Sequence, residues 1–442
     1  MQDSHPLKNI LEKRRNGIPY GLYAVCSANE YVIAAAMERA AATRGPVLIE
    51  ATANQVNQFG GYTGMKPVDF RDFVYRIADN VPFPRQRILL GGDHLGPLPW
   101  QEEPVDRAME KARELVRQYV LAGFSKIHLD TSMPLAGDCR QSRSDPERAA
   151  SRGAELCREA ELASARLRAE NPAALRPVYV VGSEVPAPGG SREGEAGLAI
   201  TRPEDLAATV AAYGQAFRQA GLEVAWENVA ACVVQPGVEF GEEAVHAYDR
   251  AAARELTRTL QQYPGLVLEG HSTDYQTPQA LKEMVEDGIA ILKVGPALSF
   301  ALREGLFALS YMEKELLRFR PDREASCFME VLDWSMARTP AGWTRHYTGS
   351  PPAVRYARKY SLFDRCRYYL PLAEVRYALS QLLENLRQTG LPLTLLRQFM
   401  PRQYDKVRGG RLENEPVSLV KDWIGTTLDD YLYAVRPVRI DG

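Results

Sequence analysis

Leu89-Leu-Gly-Gly-Asp-His-Leu-Gly-Pro97 is an apolar run that ends in an Asp-His pair, the pattern of a buried strand whose last residues carry chemistry. The arrangement recurs along the chain. Runs end at Asp130 (Lys126-Ile-His-Leu-Asp130), at Glu184 (Val178-Tyr-Val-Val-Gly-Ser-Glu184) and at Glu269-Gly-His271 after Leu266-Val-Leu268. Acids and imidazoles at the carboxyl ends of several parallel strands are the layout of a barrel active site.

Outward from that stretch, short apolar runs alternate with long amphipathic ones. Strands are predicted over residues 20–26, 46–52, 87–92, 126–130, 177–182, 224–234, 266–270 and 289–294. Helical periodicity fills 31–42, 68–79, 105–121, 146–169, 203–220, 242–263, 278–287 and 301–319. Eight right-handed βαβ units close naturally into an α/β (β/α)8 TIM barrel, expected to occupy residues 1–320 and to carry the active site. A doubly wound open sheet is the alternative, but Ala24-Val-Cys-Ser-Ala-Asn29 stands where a dinucleotide fold would have its GxGxxG. Beyond residue 320 the alternation stops. Residues 321–442, rich in Arg and aromatics and with helical periodicity over 372–389, read as a mainly helical extension packed on the barrel or on a neighbouring subunit. The sharper reading of that segment is an anion-binding Arg or Tyr that reaches over the active site.

Bulk composition excludes several classes. A net charge of -2 over 442 residues gives no electrostatic reason to bind nucleic acid or a membrane surface. No apolar run approaches the roughly 20 residues that span a bilayer. Six scattered cysteines without a CxxC pair or a secretory signal are those of a reduced, cytoplasmic protein. The stretch 186–197, rich in Gly and Pro, reads as a mobile loop.

Several motifs carry a family resemblance: Gly21-Leu-Tyr-Ala-Val-Cys-Ser-Ala-Asn29, the polar run from Glu50 to Met65, Gly91-Gly-Asp-His-Leu-Gly-Pro97, His128-Leu-Asp-Thr-Ser-Met133, Gly182-Ser-Glu-Val-Pro186, Glu269-Gly-His-Ser-Thr-Asp274, Leu292-Lys-Val-Gly-Pro-Ala297 and Asp364-Arg-Cys-Arg-Tyr-Tyr369. Together they resemble the GatZ/KbaZ family of tagatose-1,6-bisphosphate aldolase subunits and related ketohexose 4-epimerases, over nearly the whole chain. The resemblance implies a TIM barrel distantly similar to class II fructose-bisphosphate aldolase, a metal enzyme of sugar phosphates.

Each site residue has its own physical case. His94 and His271 end the third and seventh strands, and two imidazoles on one barrel rim favour a divalent metal, zinc in the first place, over two buried structural histidines. The third ligand of class II aldolases is a His after the sixth strand, and the matching position here is Gln235. A neutral oxygen donor there weakens zinc binding and would admit Mn, Ni or Mg; Glu184 or Glu269 are alternatives for the place. Asp93 resembles the aldolase acid that exchanges a proton with the C4 oxygen, or is a carboxylate that orients an imidazole. Asp130 and Glu184 are further acid/base candidates. Glu50, Thr52, Asn54 and Gln55, in a polar cluster that continues to Asn57 and Gln58, suit recognition of sugar hydroxyls, as does Ser27 with Asn29. Phosphate recognition is expected from Gly270, Ser272, Lys293 and Gly295 after the last two strands. Lys293 has an alternative use as a Schiff-base nucleophile.

Chemistry then narrows the reaction. The C4 proton of a 2-ketohexose is not acidified by the C2 carbonyl, so C4 is inverted more easily by breaking and remaking the C3–C4 bond. Metal-dependent retro-aldol/aldol chemistry, most readily 4-epimerisation between fructose and tagatose forms, free or phosphorylated, is the leading expectation. The alternatives are tagatose-1,6-bisphosphate aldolase, or a non-catalytic subunit that stabilises a separate class II aldolase chain. A homo-oligomer is also expected.

Overall fold

The alternation closes as its period requires. In the computed structural model, which describes residues 5–43, 45–138, 145–182, 199–318, 320 and 322–436, eight parallel strands form a closed barrel. They are β1 (Leu22–Cys26), β2 (Val47–Thr52), β3 (Ile88–Leu95), β4 (Lys126–Leu129), β5 (Val178–Val181), β6 (Val229–Val234), β7 (Val267–Gly270) and β8 (Ile289–Val294). The strands lie in sequence order, and β8 returns to β1 with Leu22 opposite Ile291 and Val25 opposite Val294. A helical part succeeds the barrel, so the predicted fold class holds.

The barrel interior is filled in two layers of different chemistry. Leu22, Ala24, Leu48, Leu89, Val178, Val180, Ala231, Val233, Val267 and Ile291 make an apolar lower layer. It is sealed from below by Leu7 and Ile10, at the ends of the strands where Lys8 Nζ meets Asn228 Oδ1 at 2.5 Å and Arg14 Nη1 meets the Val285 carbonyl at 2.6 Å. Above that layer the inward positions turn polar at Glu50, Lys126 and Glu269, all fully buried. Gly91 stands between Glu50 and Lys126 in the register. A Cβ there would come 2.6 Å from Glu50 Oε1, so only glycine leaves room for that carboxylate.

Two predicted elements differ. The strand expected over 224–234 begins only at Val229, because 223–226 form a helical turn and Asn228 Nδ2 binds the Val224 carbonyl at 2.8 Å. The helix expected over 242–263 shrinks to Arg254–Thr259, preceded by an antiparallel ribbon of Glu239–Phe240 with Val245–His246. The physical reason is competition for the backbone: the Tyr248 N–H donates to Gln276 Oε1 at 2.9 Å, and Gln276 Nε2 donates to the His246 carbonyl at 2.8 Å. Among the described residues no helix is long and apolar enough to cross a membrane.

The last helix, Pro416–Val435, lies against helices Glu30–Ala41, Pro278–Glu286 and Pro296–Leu317 of the barrel wall. Its polar anchor is Asp422, which accepts from Arg39 at 2.8 Å, Lys406 at 2.8 Å and Gln403 at 3.0 Å. Burial opposes ionisation of Asp422, but Lys406, Arg39 and Gln403 outweigh it and hold the carboxyl below its ordinary value. A depressed folded value contributes stability above the unfolded carboxyl pKa of about 3.9, lost as pH falls through the folded value. Asp422→Asn is therefore expected to cost about 1.5–3 kcal/mol at pH 7. In urea unfolding the gap to wild type should close at acidic pH; a gap independent of pH would show that the carboxylate charge is not what anchors the helix.

Candidate metal and active site

At the carboxyl ends of the strands the backbone itself is shaped for the site. The pairing of β3 with β4 shifts register between Gly92 and Leu95, and His94 between them adopts φ 48°. A left-handed conformation at a non-glycine residue costs of order 1–3 kcal/mol and persists where the surroundings hold it. Here the His94 backbone nitrogen packs 3.2 Å from His128 Nδ1, and Gly96 lies so close to β4 that a Cβ would sit 1.7 Å from the Asp130 carbonyl oxygen. The bulge thereby lets consecutive residues, Asp93 and His94, both point into the site.

Three imidazoles surround the Asp93 carboxylate. Asp93 Oδ1 lies 2.9 Å from His128 Nδ1 and 3.9 Å from His271 Nε2, while Oδ2 lies 3.6 Å from His94 Nε2 and contacts Lys293 Nζ. The rings are 4.9–5.3 Å apart, centroid to centroid. Each imidazole also has a carboxylate on one nitrogen: Asp130 at 2.7 Å from His94 Nδ1, Asp93 on His128, and Glu269 at 3.1 Å from His271 Nε2. The opposite nitrogens, His94 Nε2, His128 Nε2 and His271 Nδ1, are buried without a hydrogen-bond partner.

The electrostatics keep the donors in ligand form. Burial and the neighbouring Lys293 push His271 down to about 3, and burial lowers His94 as well, so both are neutral at pH 7. Burial alone would raise Asp93 and Asp130. For Asp93 it is outweighed by His94, Lys293 and the His128 hydrogen bond, and for Asp130 by His94, so both stay ionised. Asp93, His128, Glu269 and His271 offer donor atoms within 4.8 Å of one another. Neutral imidazoles with carboxylates behind them, and buried nitrogens otherwise unsatisfied, fit a divalent cation.

Beneath the imidazoles lies a buried ion triad. Lys126 Nζ is 2.7 Å from Glu50 Oε1 and 2.8 Å from both oxygens of Glu269. Burial would raise Glu269, but Lys126 and His271 hold it at about 2; Glu50, raised by burial and by Asp93 and Glu269 against the pull of Lys126, reaches about 7. Lys126 thus fixes the carboxylate that in turn orients His271.

A cavity of 510 Å³ opens above the site, within the range of small-molecule pockets. Ser27, Thr52, Asn54, Gln55, His94, His271, Ser272, Lys293 and Gly295 line it. Several expected residues are used otherwise. Glu50 belongs to the interior triad. Gln55 Oε1 accepts the Thr52 N–H at 2.8 Å, and Asn29 caps the helix that begins after it through the Tyr31 N–H. The expected Gln235 ligand gives way: its Oε1 accepts the Gly237 and Val238 N–H groups at 2.9 and 3.0 Å, which occupies both lone pairs. Gly270 faces Ile289 and Met284 rather than the cavity. The expected phosphate cradle is filled by the protein itself, since the Gly295 and Ala297 N–H groups both donate to Asp274 Oδ1, at 3.0 and 2.8 Å. Lys293 is turned onto Asp93, an ion pair that leaves no neutral amine for a Schiff base. Glu184 and the loop 186–197 lie outside the described residues.

His128, Lys126 and Glu239 are the site residues that motif reading passed over. The available signal for the first two was the period of two along β4, which turns Lys126, His128 and Asp130 to one side. Glu239 gave no such signal: burial on the short ribbon raises its carboxyl to about 7 beside the Ser272 hydroxyl.

The chain is 46% identical over 427 residues to the D-tagatose-1,6-bisphosphate aldolase subunit GatZ of Klebsiella pneumoniae, covering 97% of this chain and 98% of that protein. It is likewise 46% identical over 431 residues to the protein of the same name from Salmonella dublin, covering 98% and 99%. A crystal structure described as a probable tagatose 6 phosphate kinase from Sinorhizobium meliloti 1021 superimposes with a TM-score of 0.84 at 44% identity, covering 94% of this chain and all of that one. The family model for D-tagatose-1,6-bisphosphate aldolase subunit GatZ/KbaZ-like proteins matches residues 7–436, and the chain belongs to that family.

Proposed function

We propose that this chain is a component of tagatose-1,6-bisphosphate aldolase chemistry and has a metal-competent retro-aldol/aldol centre of its own. The observation that carries the second half is the set of three buried imidazoles, each tied to a carboxylate on one nitrogen and unsatisfied on the other. The first half rests on the relatives named as aldolase subunits. His128, His271, Asp93 and Glu269, whose donor atoms lie within 4.8 Å of one another, would hold the cation, with the His94 ring beside them as a further donor. When bound, it would supply Lewis acidity to the C2 carbonyl oxygen of a ketose.

The protein groups divide the remaining work. Asp93 and Asp130, held ionised far below neutral pH, are weak bases and serve to orient imidazoles. Glu184, shortly after β5 in the sequence, is the candidate to take the C4 hydroxyl proton, while Glu239, whose carboxyl is balanced near neutral pH, holds the Ser272 hydroxyl at the cavity wall. Its removal lets the C3–C4 bond break, leaving an aldehyde at C4 and its electron pair on C3, delocalised into the C2 carbonyl. Release of the aldehyde is the aldolase outcome. Recombination after the aldehyde has turned inverts C4, and the cavity beneath the C-terminal part, which gives the aldehyde room to turn before it leaves, favours this 4-epimerase reading as the second one.

Phosphoryl transfer, which the kinase description of the Sinorhizobium protein suggests, is less well supported: the N–H groups that would cradle a nucleotide phosphate after the last strand are spent on Asp274.

The test is carbon NMR of tagatose 1,6-bisphosphate, fructose 1,6-bisphosphate, fructose 6-phosphate and fructose with the purified chain, stripped by chelator and then supplied with zinc, manganese, nickel or magnesium. Triose formed only with metal supports the aldolase outcome, and tagatose epimers without free triose the epimerase one. Silence on all substrates, together with a stable complex between this chain and a separate class II aldolase chain, would leave only the auxiliary-subunit role.

A further inference from the structure

The wall of the cavity contributed by the C-terminal part is cationic. Arg365, Arg367, Tyr368 and Arg376 line the same cavity as His94 and His271. Arg365 is buried and donates to the Gly342 carbonyl at 2.7 Å; its guanidinium lies 4.3 Å from the Tyr368 ring centroid. Arg367 donates to the Asp364 backbone carbonyl at 2.9 Å and to the Tyr368 hydroxyl at 3.3 Å, with its guanidinium 4.8 Å from the same ring. All these acceptors are neutral. The nearest acid in sequence, Asp364, is committed to Arg303 at 2.8 Å. Among the described residues neither Arg365 nor Arg367 forms an ion pair with a carboxylate.

Two adjacent guanidinium groups, Arg365 buried and Arg367 half-buried, without an anion carry a desolvation cost that neutral acceptors offset only in part. Their field is visible on Tyr368: burial pushes its phenol up, yet Arg367 and Arg365 outweigh burial and bring it below the ordinary value. The pair is also held in place. Tyr368 packs edge-on against Tyr62 from the loop after β2 at 4.6 Å, and the Arg365 N–H donates to the Tyr347 hydroxyl at 3.2 Å. Meanwhile the usual barrel phosphate position is filled by the Asp274 side chain, which already takes the Gly295 and Ala297 N–H groups.

We propose that Arg365 and Arg367 form the anion site of this cavity and hold the phosphate of a phosphorylated ketose whose carbonyl end lies at the His94/His271 centre. This rests on the sugar reading above and deepens it, since it selects sugar phosphates over free sugars. The planar forks of two guanidiniums suit phosphate oxygens, and stacking on Tyr368 keeps them pre-set.

Binding, rather than turnover, tests it. Fructose 6-phosphate, fructose and inorganic phosphate are titrated calorimetrically into the metal-loaded full-length chain and into Arg365→Gln/Arg367→Gln. In wild type, fructose 6-phosphate is expected to bind at least about tenfold tighter than fructose, the scale of a charge-assisted hydrogen bond. The double variant should lose that advantage and the binding of inorganic phosphate, with fructose affinity unchanged. Arg365→Lys and Arg367→Lys keep the charge and should fold even if the double variant does not; each is expected to lose part of the advantage. Equal affinities across these variants, or no preference for the phosphorylated sugar in wild type, would overturn the assignment. Loss of the preference in a chain that shows no turnover on any sugar would uphold the anion site while removing the retro-aldol reading.

Discussion

His128→Ala is expected to lose bound cation and turnover together, whereas Gln235→Ala keeps its metal. His128 is fully buried, Asp93 holds one of its ring nitrogens at 2.9 Å, and the other has no partner. An alanine there removes one of the three imidazoles without touching the loop after β6. Removal of an outer carboxylate partner typically lowers metal affinity about 10–100-fold, so Asp130→Asn should fall in that range and His128→Ala beyond it. Gln235 is a turn residue whose oxygen already accepts two N–H groups, so its truncation loosens the loop and leaves the donor set intact. Metal content by atomic emission after dialysis, read with carbon NMR turnover, separates the cases. Full metal occupancy in His128→Ala, or metal lost in Gln235→Ala, would restore the class II aldolase ligand pattern and sink the three-imidazole assignment.

Lys126→Met should be the most destabilising single change in the barrel. Lys126 compensates two carboxylates where neither water nor another cation reaches them: all three side chains are fully buried. Removing one member of a buried ion network typically costs about 3–5 kcal/mol, because the remaining charge is left without a partner. The effect extends to the site, since Glu269 freed from Lys126 no longer has a fixed position from which to orient His271. Lys126→Met combined with Glu50→Gln removes one of the stranded carboxyls and leaves Glu269 only its bond to His271. That double variant is expected to recover part of the lost stability in urea unfolding, although not the metal affinity. A single variant within about 1 kcal/mol of wild type would mean that the triad is not what holds the upper layer together.

The contrast between His128 and Gln235 shows where motif reading has its limit. Gln235 stands out because it comes directly after β6, at the place where class II aldolases have a ligand, an argument from position along the chain. Whether a side chain at that position faces the axis depends on the next turn, and Gly237 and Val238 draw the amide away. His128 lies inside a strand rather than at its end, so strand-end reasoning skips it, although its period-two relation to Lys126 and Asp130 is present in the sequence. The cationic wall is legible only as an Arg- and Tyr-rich segment. Its two guanidiniums, one buried and one half-buried, acquire meaning once Asp364 is seen to be taken by Arg303.

By itself the sequence determined the barrel, the helical character of the C-terminal part, the family, and the pairing of His94 with His271 on one rim. These depend on local period and on which residues end each strand, information carried within a few neighbours. Tertiary structure alone decided which polar groups are already satisfied by the protein and which remain open to a ligand. Asp274 and Lys293 look as available in the sequence as His128 and Arg367 do, but both are spent on partners that folding brings in from 21 residues or more away. Hydrogen bonding saturates, so a group's capacity for a ligand is what its neighbours leave unused, and those neighbours are set by the fold rather than by the local pattern of residues.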